Sequence, residues 1–447
     1  MIRRIFIILA WISGLLLFLV VATLSPVDES DLYTQEYYQQ TMSQIQTMET
    51  EVSETDFWLV GWSSENITPA EPVNLVGYKP RGEYEFVEDS SYVKSLIIGN
   101  GSHTVAYLNF ELLIIHPYMA DNILKAIARE NLPLDQVVFT ATHTHSGLGG
   151  YIPGIMGKVA FGGYEEEVVQ LFTDQTIKGI RNALTEMDTA TISYKKISAP
   201  DGVANRLIEN GPIDPYLRQL IFEKNKGEKG TFFTYSAHAT GLHSGFMGLS
   251  GDYPYYLNKY IEENGVDFSF FASGLVGSHR PVLSGREIND VKAYAASLNE
   301  TLQQKELSEK AEQLNGEFRI GSFPMALPSP HFRITDNIRI RPWVFNMVFG
   351  ETRAHFDVIL LGNTMMVSSS GEISGVFYEQ WERQADQLGL NLIITTFNGS
   401  YIGYITPDEH YHLNHHEVRD THWFGPRSGS YFDEIFQSLI SKVGRAK

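Results

Sequence analysis

Two histidines separated by a single residue, in Thr142-His143-Thr144-His145-Ser146-Gly147, close an apolar run over 136–142 that predicts a buried strand. Extended backbone sends residues two apart to one face, so His143 and His145 can approach a common point beyond the strand end. Ligands of α/β sheets bind at such carboxyl ends, where loops leave room. On its own the motif is more simply read as two imidazoles bonded to carbonyls where a strand closes. Three further patches shift that balance. His238 ends the run Tyr235-Ser236-Ala237-His238, Glu372 follows Ser368-Ser369-Ser370-Gly371, and Asn398-Gly399-Ser400-Tyr401-Ile402-Gly403-Tyr404 follows the run 392–397. A lone Glu372 would simply favour the dipole of a following helix. Together, two imidazoles, a carboxylate and a phenol at the ends of separate strands suit a Zn²⁺ ion with an open position.

Short apolar runs alternating with amphipathic stretches must carry these residues. Runs rich in Val, Ile, Leu and aromatics predict strands over 95–98, 104–110, 136–142, 231–236, 268–272, 356–361, 365–368 and 392–397. Apolar positions at three-to-four spacing predict helices over 119–130, 165–186, 255–263, 288–307 and 373–388. Their alternation predicts one large α/β domain over 56–447, a mixed β-sheet flanked by helices.

Composition narrows the partners. The 447 residues are 43% hydrophobic, enough for a large core, and carry 34 basic against 53 acidic side chains, a net charge of −19. No basic stripe could follow a phosphate backbone, so nucleic acid is excluded as a partner. Anionic membrane surfaces gain no attraction either. The chain has no cysteine, which rules out disulfides and limits metal ligands to His, Asp, Glu, Tyr and water.

Attachment to a membrane is carried by the N-terminus. Residues 5–24 are uncharged and apolar, preceded by Arg3 and Arg4 and followed by Asp28, Glu29 and Asp31. A helix of that length spans the roughly 30 Å of a bilayer core, and the flanking charges predict residues 1–4 in the cytoplasm and the remainder outside. The alternative is a cleaved signal peptide, for which Val21-Ala22-Thr23 is a weak processing site. Residues 25–55, rich in Gln, Glu, Thr and Ser, read as a polar juxtamembrane spacer.

The motifs in their order resemble the neutral/alkaline ceramidase family over residues 57–445. The resemblance is carried by His143 to Tyr151 (T-H-T-H-S-G-x-G-G-Y), Ala204 to Arg206 (A-N-R), His238 with Ser250 to Asp252 (S-G-D), Gly371-Glu372, and Asn398 to Tyr411. Val76-Gly77-Tyr78 and Phe424-Gly425-Pro426 also stand at family positions. It implies one zinc ion per chain, with His143, His238, Glu372 and Tyr404 as ligands and Tyr401 as the competing tyrosine. It further implies that His145 and Arg206 act at the reacting group, with Tyr401, Asn205 and Asp252 on the substrate side. For Asp252, steadying a histidine and capping a helix near Pro254 are equal alternatives.

Two departures qualify the resemblance. The family's G-D-x-S-P loop, whose serine has been assigned as nucleophile, is here Gly277-Ser278-His279-Arg280-Pro281. Arg280 falls where the serine should be, and only a shift of the loop lets Ser278 serve. The family's C-terminal immunoglobulin-like domain has no counterpart within this length, and His416 replaces a family tyrosine. The expectation is therefore a zinc-dependent hydrolase that cleaves the N-acyl amide bond of ceramide-like lipids, with water activated on the metal as nucleophile. The alternatives are an esterase or deacylase for a non-sphingoid substrate and a decayed binding module. The histidines at 410, 412, 415, 416 and 422 read as a solvated surface loop, and His243 or His279 as a lining residue.

Overall fold

The computed structural model describes residues 2–78, 81–306 and 310–445. Two mixed sheets lie face to face, because both carry apolar side chains on their inner faces. In spatial order the larger sheet runs Phe268–Ser273, Lys229–Tyr235, Tyr216–Lys224, Asp188–Ser198, Trp58–Asn66, Tyr92–Gly99, Thr104–Phe110 and Gln136–Ala141, with Glu312–Gln313 beside Asp188–Ser198. The smaller runs Glu51–Thr55, Gly316–Met325, Ala354–Leu361, Thr364–Ser369 and Asn391–Thr396. Pairing is antiparallel except at three places, all near the site: Lys229–Tyr235 with Phe268–Ser273, Thr104–Phe110 with Gln136–Ala141, and Thr364–Ser369 with Asn391–Thr396. Trp58, Tyr107 and Phe232 meet Phe318, Ile359 and Ile393 between the sheets.

Helices cover both outer faces. Pro117–Arg129 and Glu166–Thr185 pack on one half of the large sheet, Asp252–Glu263 and Ile288–Glu306 on the other. Glu36–Thr47, Tyr378–Gln387 and Ser428–Arg445 cover the small sheet. The expected mixed α/β domain is what the structure shows, as four layers in the order helix, sheet, sheet, helix.

Two local expectations are corrected. Residues 25–55 do not form a spacer: Leu32 and Ile45 are buried in the core beneath the small sheet, and Glu51–Thr55 is that sheet's edge strand, paired with Gly316–Met325. Sparse apolar residues in a polar stretch are enough to dock a helix when they fall on one face. The helix expected over 373–388 begins only at Tyr378. Glu372–Ile373 instead pairs in parallel with Tyr404–Ile405, so the Glu372 backbone is held by a strand bridge rather than by a helix N-terminus.

At the other end of the chain, helix Ile2–Thr23 is long and apolar enough to cross a membrane, and none of it is buried.

Candidate active site

Each sheet sends two segments to one point from the carboxyl ends of its strands. His143 follows Gln136–Ala141 and His238 follows Lys229–Tyr235, while Glu372 follows Thr364–Ser369 and Tyr401 and Tyr404 follow Asn391–Thr396. The two histidines of the H-x-H motif do converge, but not through strand alternation. His143 adopts a left-handed conformation with φ of 62°, rare for a residue with a side chain. Phe397, also left-handed with φ of 67°, stacks its ring on the His143 imidazole at 4.4 Å between centroids. Gly77 allows the opposite wall to close in, since a Cβ there would lie 2.3 Å from the Cα of His145.

Three imidazoles face one another through Nε2. His143 and His238 stand 3.0 Å apart, His145 and His238 2.8 Å, and His145 and His143 3.4 Å. For two of them the tautomer follows from the other nitrogen: His143 Nδ1–H donates to the Leu113 carbonyl at 2.7 Å, and His238 Nδ1–H donates to that of Val276 at 3.3 Å. Their Nε2 atoms therefore present lone pairs to each other, an arrangement that repels unless a cation lies between. A proton is disfavoured there. Burial, then His143, holds His145 well below the usual imidazole range, and burial, then Arg206, does the same to His238. Ligands about 2.1 Å from a tetrahedral metal ion stand about 3.4 Å apart, close to the spacing seen.

Glu372 completes the fit. Its Oε2 lies 3.3 Å from His143 Nε2, is buried, and has no hydrogen-bond partner, whereas Oε1 accepts the Tyr401 hydroxyl at 2.6 Å. Burial alone would raise this carboxyl, but the neighbouring His143 imidazole and the Tyr401 and Tyr404 hydroxyls outweigh it and hold the pKa down. A buried, ionised oxygen without a partner beside lone pairs is the signature of a cation site. His143, His145 and His238 alone already meet the geometry for holding a metal ion.

Arg206 holds Tyr404 in place. Its Nη2 donates to the Tyr404 hydroxyl at 3.1 Å and to the Gly277 carbonyl at 3.2 Å, and its Nε lies 3.0 Å from Glu417. Tyr404 itself is pushed well above the usual phenol range by burial and then by Glu372. The guanidinium thus orients the phenol rather than facing the cavity.

That cavity, about 290 Å³, opens over His143, His145, Glu372, Tyr401 and Tyr404. Its walls are mostly apolar, with Leu113, Ile114, Met156, Phe161, Phe332 and Phe349 among them. Tyr78, for which the sequence reading gave no role, lines it and packs on His145 with ring centroids 5.1 Å apart.

Four expected site residues, Ser278, His279, Asn205 and Asp252, are placed elsewhere. Ser278 is buried, and its hydroxyl meets His279 Nδ1 at 2.8 Å, the Ser374 hydroxyl at 2.7 Å and the Gly375 amide at 3.2 Å, none of them at the imidazole cluster. His279 sits behind that serine and accepts from the Asp214 amide at 2.8 Å, so it does not line the cavity. Asn205 closes a turn, its Oδ1 accepting the amides of Leu207 and Ile208. Asp252 steadies no histidine. It opens helix Asp252–Glu263 with φ of 57° and accepts the Leu242 and Tyr253 amides. The histidine-rich stretch after 409 is only partly a surface loop, since His416 lines the cavity mouth and His422 is buried against Ser428. Its polar composition concealed this, and it also concealed Glu417, the partner of Arg206.

Residues 58–269 match the model of the family described as neutral/alkaline non-lysosomal ceramidase, N-terminal. That stretch is similar to the N-terminal part of neutral/alkaline ceramidases. Among solved structures, the neutral ceramidase from Pseudomonas aeruginosa is similar over 87% of this chain and 75% of its own, with a TM-score of 0.73 at 16% identity. A ceramidase complexed with C2 is similar over the same shares, with a TM-score of 0.72 at 15% identity. At such identities the likeness establishes the ceramidase fold, and the site chemistry rests on the residues described above.

Proposed function

We propose that this protein is a zinc-dependent amidohydrolase that cleaves the N-acyl amide bond of ceramide-like lipids outside the cell. The observation that carries the reading is the pair of imidazole lone pairs facing each other beside the unpartnered Glu372 Oε2. His143, His238, Glu372 and Tyr404 would hold one zinc ion, leaving His145 Nε2 free for proton transfer. Bound there, zinc would lower the pKa of a water molecule toward about 7 and polarise the amide carbonyl.

The remaining work falls to the chain. Tyr401 donates to Glu372 Oε1 and so leaves Oε2 directed at the imidazoles. Arg206 keeps the Tyr404 oxygen in place and supplies positive charge behind it. His145, held neutral by burial, would accept on Nε2 the proton released by the attacking water and pass it to the departing amine. The apolar walls exclude water and accept an acyl chain. The catalytic body is taken to begin before residue 56, because helix Glu36–Thr47 and strand Glu51–Thr55 belong to its core. In this reading it is tied to the membrane by helix Ile2–Thr23.

The test uses the full chain in detergent, with metal content measured by elemental analysis and hydrolysis followed on a fluorescent N-acyl sphingosine. About one zinc per chain is expected, with both zinc and turnover lost in His143→Ala. Zinc without turnover on any N-acyl sphingosine would sink the substrate assignment and turn the search to other amides and esters. A folded protein that takes up no zinc would sink the catalytic reading.

A further inference from the structure

Helix Ile2–Thr23 does not end in a loose tether. The last carbonyls of a helix have no partner within it, and here they are taken by one short stretch of the catalytic body. Arg341 donates from Nε to the carbonyls of Val21 and Leu24, at 3.1 and 2.9 Å, and from its backbone amide to Thr23 at 2.7 Å. Trp343 Nε1 donates to Ala22 at 2.9 Å. A guanidinium at this place also offsets the negative end of the helix dipole. Directly afterwards, Leu24–Pro26 pairs antiparallel with Ile338–Ile340, which pairs in turn with Arg333–Thr335.

The same stretch forms the rim of the cavity. Arg341 precedes helix Pro342–Phe349, whose inner face places Phe345 and Phe349 against Phe332 and Trp423 beside the opening. Its outer face leaves Trp343 and Met347 more than half exposed. Helix Gly154–Ala160, packed next to it, repeats the pattern: Met156 and Ala160 line the cavity, while Ile155 and Val159 are more than half exposed.

The geometry points to the rim made by Ile155, Val159, Trp343 and Met347 being seated in the surface of the bilayer that holds helix Ile2–Thr23, so that a lipid amide passes from the membrane into the cavity without crossing water. This rests on reading that helix as a membrane anchor and the cavity as a lipid-hydrolysing site. At about 1.5 Å per residue its 22 residues span the membrane core with almost nothing to spare. Ala22 therefore lies at headgroup level, and the Trp343 indole bonded to it lies there too, the depth at which tryptophan concentrates. No slack exists to lift the rim away. With a net charge of −19 the contact is apolar and requires no anionic lipid.

The absence of cysteine permits a direct test. Single variants Met347→Cys and Val159→Cys of the full chain carry an environment-sensitive fluorophore in phosphatidylcholine proteoliposomes containing spin-labelled lipid quencher. Lys226→Cys is the control, because the strand Lys229–Tyr235 runs from that turn toward His238 and places Lys226 at the far end of the sheet. Labels at 347 and 159 are expected to be quenched several-fold more than the label at 226, equally at low and high salt. Adding Arg341→Ala should lessen quenching at 347 and slow hydrolysis of bilayer-embedded N-acyl sphingosine several-fold, leaving a soluble short-chain amide unaffected. If the chain resists carbonate extraction yet the rim labels match the control, the anchor stands and the seated rim is overturned. Rim labels shielded from lipid quencher in a dimeric protein would assign the surface to a second copy and overturn it as well. Extraction of the chain by carbonate would remove the anchor and the proposal together. The labelling needs no turnover, so failure of the hydrolytic reading would not obscure it.

Discussion

The hydroxyls around Glu372 and Ser278 differ in what they serve, and substitution separates them. Tyr401 directs the free oxygen of Glu372 toward His143 and His238 without being one of the four proposed ligands. Partners of this kind typically change metal affinity or activity by about 10–100-fold. Tyr401→Phe is therefore expected to weaken zinc retention by about that factor, measured by competition with a chromophoric chelator; unchanged retention would remove Tyr401 from the site. Ser278 is a structural counterpart, sharing its oxygen among His279, Ser374 and Gly375. Ser278→Ala strands these buried partners and should cost about 1–3 kcal/mol of stability. Turnover per folded molecule should stay within a few-fold of the parent. A loss of several orders of magnitude would restore the nucleophile that the geometry denies.

Helix Glu36–Thr47 behaves as part of the outer layer rather than as a tether. Thr41 is buried, accepts the hydroxyl of Tyr431 at 2.7 Å and accepts the Ala326 amide at 2.9 Å, while Ile45 packs beneath the small sheet. Removing a buried Ile side chain costs about 2–5 kcal/mol, depending on how far the cavity collapses. Ile45→Ala should lower the chemical-denaturation free energy by an amount in that range. A change below about 0.5 kcal/mol, the size expected of an exposed site, would mean that the helix is undocked in solution.

Across the whole molecule, burial of acidic groups couples stability to pH. Glu111 is fully buried beneath the large sheet, with Oε2 accepting the Tyr92 amide and Oε1 unpartnered. Burial, only partly opposed by Lys94, pushes its carboxyl up to about 8 from a reference of 4.5. A folded pKa above the unfolded one means that the native state holds its proton longer. Stability from this group is complete below pH 4.5 and is lost as pH rises through about 8. Glu111→Gln should therefore narrow the drop in melting temperature between pH 5 and pH 8. An identical drop in parent and variant would show that Glu111 is ionised in the native state throughout.

Much of the site was legible in the sequence because strands end where apolar runs end, and His143, His238, Glu372, Tyr401 and Tyr404 all follow such runs. The α/β body, the apolar first helix and the absence of cysteine were likewise determined by composition and pattern alone. Only the tertiary structure decided which polar groups face one another. Left-handed backbone at His143 and Phe397 aims the imidazoles together, and no periodicity encodes a single residue's φ. Pairing across long separations turned Ser278 to Ser374 and Gly375 and brought Glu417 to Arg206, while Asn205 and Asp252 turned to backbone amides nearby in the chain. The docking of residues 25–55 was hidden for a related reason: Leu32 and Ile45 are few, and their burial depends on a sheet completed more than two hundred residues later. Local propensity reads what a segment prefers, whereas the partner that satisfies a polar group or covers an apolar one is chosen by the fold as a whole.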